Sequence, residues 1–321
     1  MSNLQIIMYH YVRDLSRSRY PGIKARTLSD FKGQLDYIAK HFTVVTVDEI
    51  ITAITGGSPL PSNAAWLTFD DGYIDHYTNV FPLLNERGWQ GSFFPPANTV
   101  LRGELLDVNK IHFILASQPN SKLLIDAIRL FLLNVHSAKL HKDFDSYWGE
   151  LAHPDRFDTA EVVFIKRMLQ RDLPESLRNE LTDHLFHHFV KIDPVAFASE
   201  VYMSVDQLKT MIRAGMYVGS HGAKHYWLDR LSPQDQAADI DDSLNFLESL
   251  GAPTNNWIMC YPYGAYNDAL VQFLTSRGCA IGLTTEVAPA NLGSHHRLRL
   301  PRLDTNDFPT TADGQHKPIL S

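Results

Sequence analysis

The chain has 321 residues, of which 44% are hydrophobic and 20% are charged, and its formal net charge is −7 at pH 7. Such a chain is long enough for one large α/β domain or two smaller ones, and its composition is ordinary for a soluble globular protein. The negative charge argues against nucleic acid or an anionic membrane as the main partner. Two cysteines, Cys260 and Cys279, exclude a disulfide framework and favour a reducing compartment.

The sequence contains no membrane-spanning stretch, because no segment approaches ~20 uninterrupted apolar residues. The best candidate, residues 123–135, is interrupted by Asp126 and Arg129. The amino-terminal segment up to His10 lacks a basic region, and its apolar run is too short for a signal peptide. We therefore predict a cytoplasmic protein, which would act on a precursor inside the cell and not on finished extracellular polymer.

Strands and helices alternate in the amino-terminal part of the chain, a pattern typical of parallel strands joined by helical crossovers. Apolar runs bounded by turn residues predict strands at 5–9, 44–45, 64–69 and 91–94. Helical patterns predict three helices in this part of the chain: one that follows an N-cap at Ser29, one at 47–54 and one at 80–87.

The alternation stops between residues 105 and 200, where amphipathic helices occur without a convincing strand. We predict a helical insertion at 105–200 in a barrel formed by residues 1–104 and 201–308, with an irregular tail at 309–321. In the second half of the barrel we predict helices at 205–213, 233–250 and 268–276 and strands at 216–219, 257–261, 280–284 and 298–304.

Four predicted strands end in polar side chains. Because the carboxyl ends of parallel strands lie at one rim, residues far apart in sequence should meet there. Two adjacent carboxylates repel each other unless a cation or a proton lies between them, so Asp70 and Asp71 point to a binding site. The alternative is an acidic turn without such a role, since Asp-Gly is a common turn dipeptide. The polar residues are His10, Asp70 with Asp71, His221 with His225, and Arg302 with Asp304.

The pair His221 and His225, with one carboxylate, provides the nitrogen and oxygen ligands of a catalytic zinc site that keeps one position open. The predicted insertion contains a second pair with the same spacing, His184 and His188. No strand-end carboxylate is placed to join that pair, so we interpret it as a pair that binds no metal.

Adjacent aspartates can divide the work of hydrolysis, since one can hold a divalent metal while the other accepts a proton from the water that the metal acidifies. Cleavage of an amide or ester also needs an oxyanion site and a general acid. The backbone N–H groups of Tyr263 and Gly264 are candidates for the oxyanion site. His10 is a candidate acid, with a core histidine as the alternative. Arg302 and Asp304 could orient the base and the acid, or form a surface ion pair.

Three motifs resemble those of the polysaccharide deacetylases, the NodB-like carbohydrate esterases of family 4. They are Thr68-Phe69-Asp70-Asp71-Gly72, then Ser220-His221-x-x-x-His225, and then Tyr261-Pro262-Tyr263-Gly264. The resemblance covers about residues 1–100 and 200–305, and the predicted insertion lies outside it. It implies an α/β fold of the distorted (β/α) barrel type and an activity that hydrolyses the N-acetyl group of a sugar.

The resemblance also implies a role for each motif residue. Asp70 corresponds to the catalytic base, and Asp71, His221 and His225 correspond to the ligands of one divalent metal. Zinc is the first candidate for that metal, and cobalt, nickel, iron or manganese are the others. The oxyanion and substrate side is assigned to Tyr263, through its backbone N–H, together with Tyr73, Tyr261 and Gly264.

The chain departs from the family pattern at three positions. Gly222 replaces the usual Ser or Thr, Cys260 replaces an arginine that orients the base, and no carboxyl-terminal Leu-x-His motif supplies the acid. Met8-Tyr9-His10 and Arg302-Leu303-Asp304 are similar instead to a circularly permuted branch that includes biofilm poly-N-acetylglucosamine deacetylases, in which an amino-terminal strand brings the acid histidine. This similarity implies that His10 is the acid and that Arg302 substitutes for the missing arginine.

We therefore predict a metal-dependent N-deacetylase that acts on an acetamido sugar in a nucleotide-linked, lipid-linked or glycan precursor. One alternative is a hydrolase of another C–N bond on the same scaffold, of the deformylase or cyclic-amide type. A second alternative is a catalytically inactive binding module. We expect the insertion to emerge near the mouth of the barrel, where it would cap a small substrate or form the surface of a homo-oligomer.

Overall fold

The structure is a computed structural model that describes residues 3–135 and 140–315. The described residues do not include Met1 and Ser2, or residues 316–321 of the predicted tail. By its contacts the chain divides into two units. The first consists of Met1–Arg13, Ala25–Glu104 and Ala198–Ser321, and the second of Asp14–Lys24 and Leu105–Phe197.

The described strands are β1 (Asn3–Tyr9), β2 (Val12–Arg13), β3 (Arg26–Thr27), β4 (Thr43–Val44), β5 (Ala64–Asp70), β6 (Gly91–Phe94), β7 (Tyr217–Val218), β8 (Ile258–Cys260), β9 (Ile281–Leu283), β10 (Ala290–Asn291) and β11 (Leu303–Asp304). The α-helices are α1 (Leu28–His41), α2 (Val47–Ile54), α3 (Phe81–Glu86), α4 (Ala97–Leu101), α5 (Asp107–Ser117), α6 (Ser121–Leu133), α7 (Phe144–Leu151), α8 (Ala160–Arg167), α9 (Glu175–Phe189), α10 (Pro194–Val201), α11 (Val205–Arg213), α12 (Pro233–Leu250) and α13 (Asp268–Ser276). Short 3₁₀ turns cover Leu15–Arg17, Leu228–Arg230, Pro262–Gly264 and Thr305–Asp307, and π-helical turns cover His76–Val80 and Met168–Asp172.

The first unit contains a closed ring of parallel pairings, as a distorted (β/α) barrel requires. Strand β1 pairs with β5, β5 with β6, β6 with β7, β8 with β9, and β11 with β1, all in parallel. Single parallel bridges, Ser220 to Met259 and Leu283 to Leu300, complete the ring where the strands are short. The predicted α/β barrel fold is therefore confirmed.

The central strand β5 is buried at every residue. Parallel strands covered on both faces have such continuous apolar runs instead of an alternating pattern. The run explains why the sequence predicts a buried strand at this position. Because β5 is buried along its whole length, it holds the carboxylates at its carboxyl-terminal end, Asp70 and Asp71, on a rigid element.

Most helix boundaries in this unit follow the predicted capping signals. Ser204 forms a capping box with Gln207 at the start of α11, and Gly251 ends α12 in a left-handed conformation. At α1 the expectation was wrong, because Thr27 and not Ser29 is the N-cap. The last predicted strand, 298–304, is reduced to β11, since Pro301 has no N–H with which to continue a ladder.

The second unit is helical in the described residues, and α5 and α6 both pack on α9. It also includes Asp14–Lys24, which the sequence analysis placed with the barrel. The Lys24 ammonium binds Asp158 at 2.5 Å, and the Tyr20 ring packs edge-on against Phe113. These contacts attach the segment to the helices. Among the described helices of both units, none has the length and apolar character needed to span a bilayer.

Candidate metal centre and active site

Strand β5 ends at Asp70, Asp71 follows it directly, and the backbone turns both carboxylates toward one site. Successive side chains of an extended strand point to opposite faces, so adjacent carboxylates would normally diverge. Asp71 leaves the strand conformation with φ of 70°, and Gly72 has the same value. A Cβ on Gly72 would lie 2.6 Å from the Pro95 Cβ, so the turn requires glycine there. Both carboxylates are buried and lie close to His221.

Three potential ligand atoms converge beside this turn. The Asp71 Oδ1 atom lies 3.3 Å from His221 Nε2 and 3.3 Å from His225 Nε2. All three side chains are buried. The strand ends of β5 and β7 thus bring together the residues that the sequence analysis assigned to a metal.

The hydrogen bonds around these atoms fit a cation. His221 Nδ1 donates to the Cys260 carbonyl at 2.7 Å, so the Nε2 atom of the neutral ring carries a lone pair. Asp71 Oδ1 is buried and accepts no hydrogen bond from the described residues. Tetrahedral coordination with bonds of about 2.0–2.1 Å places neighbouring ligand atoms about 3.3–3.4 Å apart. Asp71, His221 and His225 therefore fit a divalent metal such as zinc.

Asp70 does not share this environment, because Arg302 holds it. Arg302 Nη1 and Nη2 donate to the two Asp70 oxygens at 2.8 and 2.7 Å, and Arg302 Nε donates to the Thr284 carbonyl at 2.9 Å. Burial alone would raise the pKa of Asp70, but the charge and hydrogen bonds of Arg302 outweigh it and hold that pKa at about 2. Arg302 is fully buried, so the surface ion pair considered from the sequence is not formed. Its guanidinium contacts Asp70, as the resemblance implies for a substitute for the arginine that Cys260 replaces.

A second group of potential ligands, Asp70, His221 and Cys260, is also close together. It is poorly suited to a metal because both oxygens of Asp70 already bind Arg302. Burial raises the pKa of the Cys260 thiol, and metal ligation requires the thiolate. The group around Asp71 is therefore the better metal site.

His10 lies next to the predicted base. Its Nε2 atom is 3.9 Å from Asp70 Oδ2, and its side chain is 45% exposed, so it is not a core histidine. The His76 Nε2–H group donates to the His10 carbonyl at 2.9 Å. Burial lowers the pKa of His76 to about 4, which keeps this ring neutral. His76 was not predicted from the sequence; it lies in a π-helical turn of the kind often found at functional sites.

The structure does not bring Asp304 to His10 in the described hydrogen bonds and ion pairs. Asp304 Oδ1 instead accepts from the backbone N–H and the side-chain amide of Asn306, each at 2.7 Å. It therefore acts as the N-cap of the turn Thr305–Asp307. The predicted role in orienting the acid has no support from this geometry.

The turn after β8 uses two of its predicted substrate groups for its own structure. The Tyr261 hydroxyl donates to the Leu298 carbonyl at 2.9 Å, and the Gly264 N–H donates to the Tyr261 carbonyl at 2.9 Å. Neither group is thus available to a substrate, contrary to the expectation from sequence. The Cβ of any other residue at Gly264 would lie 2.2 Å from the Thr285 hydroxyl.

Tyr263, in the same turn, lies beside the metal ligands. Its φ of 57° is left-handed, and its ring packs edge-on against His225 with centroids 4.6 Å apart. The ring also stacks on Trp227 at 4.5 Å with planes 4° apart. Trp227 was not predicted from the sequence.

Tyr73 is placed at the metal centre but not on the substrate side. Its hydroxyl donates to Asp71 Oδ2 at 2.6 Å, and its ring is fully buried. Burial, and then the Asp71 charge, raise the pKa of Tyr73 well above its ordinary value. The phenol therefore stays protonated and is the donor.

Asp239 on α12 braces the loop that carries the two histidines, and it was not predicted from the sequence. Its carboxylate accepts from the Ala223 N–H at 2.8 Å and from the Lys224 N–H at 3.0 Å. A Cβ on Gly222 would lie 2.6 Å from Asp239 Oδ2. The glycine that replaces the usual Ser or Thr thus makes room for a carboxylate that fixes the same loop. A carboxylate on the buried face of an amphipathic helix is the signal that could have revealed it.

The chain is similar to known proteins in sequence and in fold. Residues 57–108 and 172–281, just over half of the chain, match the family described as polysaccharide deacetylase. The chain is 33% identical over 96 residues to the poly-β-1,6-N-acetyl-D-glucosamine N-deacetylase of Escherichia coli (strain K12). That alignment covers 29% of this chain and spans only 14% of the length of the E. coli protein.

Solved structures of low sequence identity share the fold. The deacetylase PplD of Streptococcus pyogenes, determined in complex with acetate, is similar with a TM-score of 0.59 at 17% identity, over 99% of each chain. IcaB from Ammonifex degensii is similar with a TM-score of 0.55 at 20% identity, over 94% of this chain and 91% of that one.

Proposed function

The chain belongs to the polysaccharide deacetylase family, and we propose that it is a metal-dependent N-deacetylase of an acetamido sugar. The observation that carries the proposal is the convergence of Asp71 Oδ1 with Nε2 of His221 and His225, each 3.3 Å away, beside an Asp70 that Arg302 holds. Three ligand residues leave a position open for chemistry, as catalytic zinc sites do.

Asp70 is the proposed base. Its pKa of about 2 keeps it ionised at neutral pH, but so low a pKa also makes it a weak base. A bound divalent metal would supply the compensating chemistry, since it acidifies water and polarises a carbonyl oxygen. Arg302 fixes both oxygens of Asp70, so the carboxylate can receive a proton without first reorienting.

His10 is the proposed acid. Its partly exposed ring lies within 3.9 Å of Asp70, so it can deliver a proton to the amine that leaves the cleaved amide. The hydrogen bond from His76 to the His10 carbonyl fixes the backbone from which this ring projects. The two proton-transfer groups thus come from neighbouring parallel strands, β1 and β5.

The proposed substrate class is an N-acetylated amino sugar, in nucleotide-linked, lipid-linked or glycan form. The name of the E. coli relative specifies N-deacetylation of an N-acetylglucosamine polymer, and the S. pyogenes deacetylase was determined with acetate. Acetate is the carboxylate that hydrolysis of an acetamido group releases. A linear amide of this kind suits one base and one acid placed beside a single metal.

The proposal is tested by acetate release from a panel of acetylated nucleotide sugars, free amino sugars and short glycans. We expect release from at least one member, loss of release with a chelator, and recovery when zinc is added back. N-formyl sugars and cyclic amides form two further arms of the panel. Turnover confined to those arms, or turnover that a chelator leaves unchanged, would contradict the proposal.

A further inference from the structure

The phenol of Tyr73 is a buried polar group at the metal centre that the chemistry above does not use. It donates to Asp71 Oδ2 at 2.6 Å. The other oxygen, Oδ1, is the atom that faces the two histidines and accepts no hydrogen bond from the described residues. One oxygen of the carboxylate is thus bound to a protein donor and the other is directed at the metal position.

The Tyr73 ring is held in place by its surroundings. It stacks on Tyr11 with centroids 3.9 Å apart and planes 19° apart, and on Tyr202 at 6.2 Å and 11°. The Tyr73 backbone forms an antiparallel bridge with Tyr202, and the Met203 N–H donates to the Gly72 carbonyl at 2.9 Å. The phenol therefore lies on a clamped turn and cannot follow the carboxylate if that group rotates.

We propose that Tyr73 is a positioning residue that makes Asp71 a one-oxygen ligand. Carboxylates can bind a metal through one or both oxygens, and a hydrogen bond to Oδ2 removes the second mode. A single oxygen and two imidazoles then leave coordination positions for water and for the substrate carbonyl. This role rests on the proposed function only in requiring a divalent metal, since it holds for any substrate.

The test is metal binding by the full chain carrying Tyr73→Phe, after removal of metal with a chelator. Loss of an outer-shell hydrogen bond should weaken zinc binding about 10- to 100-fold in a competition titration with a chromophoric chelator. In the cobalt-substituted variant, the visible absorption should weaken because a second Asp71 oxygen raises the coordination number. Neither readout depends on turnover or on the identity of the sugar.

Tyr217→Phe is the matched control. The Tyr217 hydroxyl belongs to a buried phenol and accepts a hydrogen bond of 3.0 Å from the Ile258 N–H, and it does not contact the proposed metal ligands in the described hydrogen bonds. We expect it to lower the thermal stability of the metal-free protein while zinc affinity and the cobalt spectrum stay unchanged. Wild-type affinity and spectrum in Tyr73→Phe, or equal losses in both variants, would overturn the proposed role. A wild-type chain that binds no zinc would overturn the proposed function as well.

Discussion

Two pairs of histidines with the same spacing lie in the two units of the chain, and their surroundings differ. His221 and His225 follow a barrel strand, are buried, and both face Asp71 Oδ1. His184 and His188 lie on α9, where both side chains are exposed and the rings stack with centroids 6.4 Å apart. Within the described residues, no group of three close ligand atoms includes either of them.

The difference shows that a spacing of four residues says little about metal binding without a third ligand and burial. A buried carboxylate oxygen that accepts no hydrogen bond, such as Asp71 Oδ1, needs a cation, whereas an exposed imidazole is satisfied by water. The difference can be tested by substituting matched residues in each unit.

The largest expected effect is on metal content. His221→Ala should reduce bound zinc from one equivalent to none, because it removes one of three ligands. His184→Ala, its match in the helical unit, should retain one equivalent. Elemental analysis of the purified proteins distinguishes them, and metal loss in both variants would show that the second pair also binds.

The next effect is on turnover without metal loss. His10→Ala should lower kcat by about 10²–10⁴-fold while zinc content is unchanged, as expected for removal of a general acid. His187→Ala, at an exposed position of α9, is the control and should have wild-type kcat. Equal kcat in the His10 variant and the wild type would remove His10 from the chemistry.

The buried ion pair should matter more for folding than an exposed one. Arg302→Met leaves the Asp70 carboxylate buried and unpaired, which should reduce the free energy of unfolding by about 3–5 kcal/mol at pH 7. Arg129→Met breaks the exposed pair with Asp145 and should cost about 0–1 kcal/mol. Denaturant titrations of both variants measure the difference, and equal losses would contradict the account.

The loss of unfolding free energy in Arg302→Met should also depend on pH. The pKa of Asp70 is lowered from 3.8 to about 2 in the folded protein, so its contribution is present above pH 4 and is lost as the pH falls toward 2. Without Arg302, burial favours the protonated carboxyl, and acid then relieves the cost in the variant. The gap in unfolding free energy between wild type and Arg302→Met should therefore shrink from pH 7 to pH 3. A gap that does not change with pH would show that the unpaired Asp70 carboxylate is not the cause of the lost stability.

The smallest effect is expected at the brace of the histidine loop. Asp239→Asn weakens the buried hydrogen bond from the Ala223 N–H and the partly buried one from the Lys224 N–H. It should cost about 1–3 kcal/mol and weaken zinc binding. Asp143→Asn changes an exposed N-cap that accepts from the Ser146 N–H, and should cost less with no effect on zinc. Unchanged zinc affinity in both variants would show that the brace serves folding alone.

Local patterns predict the barrel, many helix limits and the convergence of Asp71 with His221 and His225. The start of α11 follows from the capping box at Ser204, and the buried run of β5 ends at Asp70. Strand ends that carry histidines and carboxylates meet at one rim whenever the strands are parallel. These relations need no knowledge of side-chain packing.

The remaining parts of the site depend on contacts between distant segments, which no local pattern encodes. Asp239 approaches Gly222 from α12, and Tyr73 turns its hydroxyl to Asp71 instead of toward a substrate. Asp304 caps its own turn, since a short carboxylate next to a free backbone N–H forms that bond first. Cytoplasmic location and assembly through the helical unit stay predictions.

The central claim is that the neighbouring acids Asp70 and Asp71 do different work. It is tested most directly by measuring zinc content and acetate release in parallel for Asp70→Asn and Asp71→Asn. We predict that Asp70→Asn keeps one equivalent of zinc and loses turnover, while Asp71→Asn loses both. Retained turnover in Asp70→Asn, or retained zinc in Asp71→Asn, would contradict the claim.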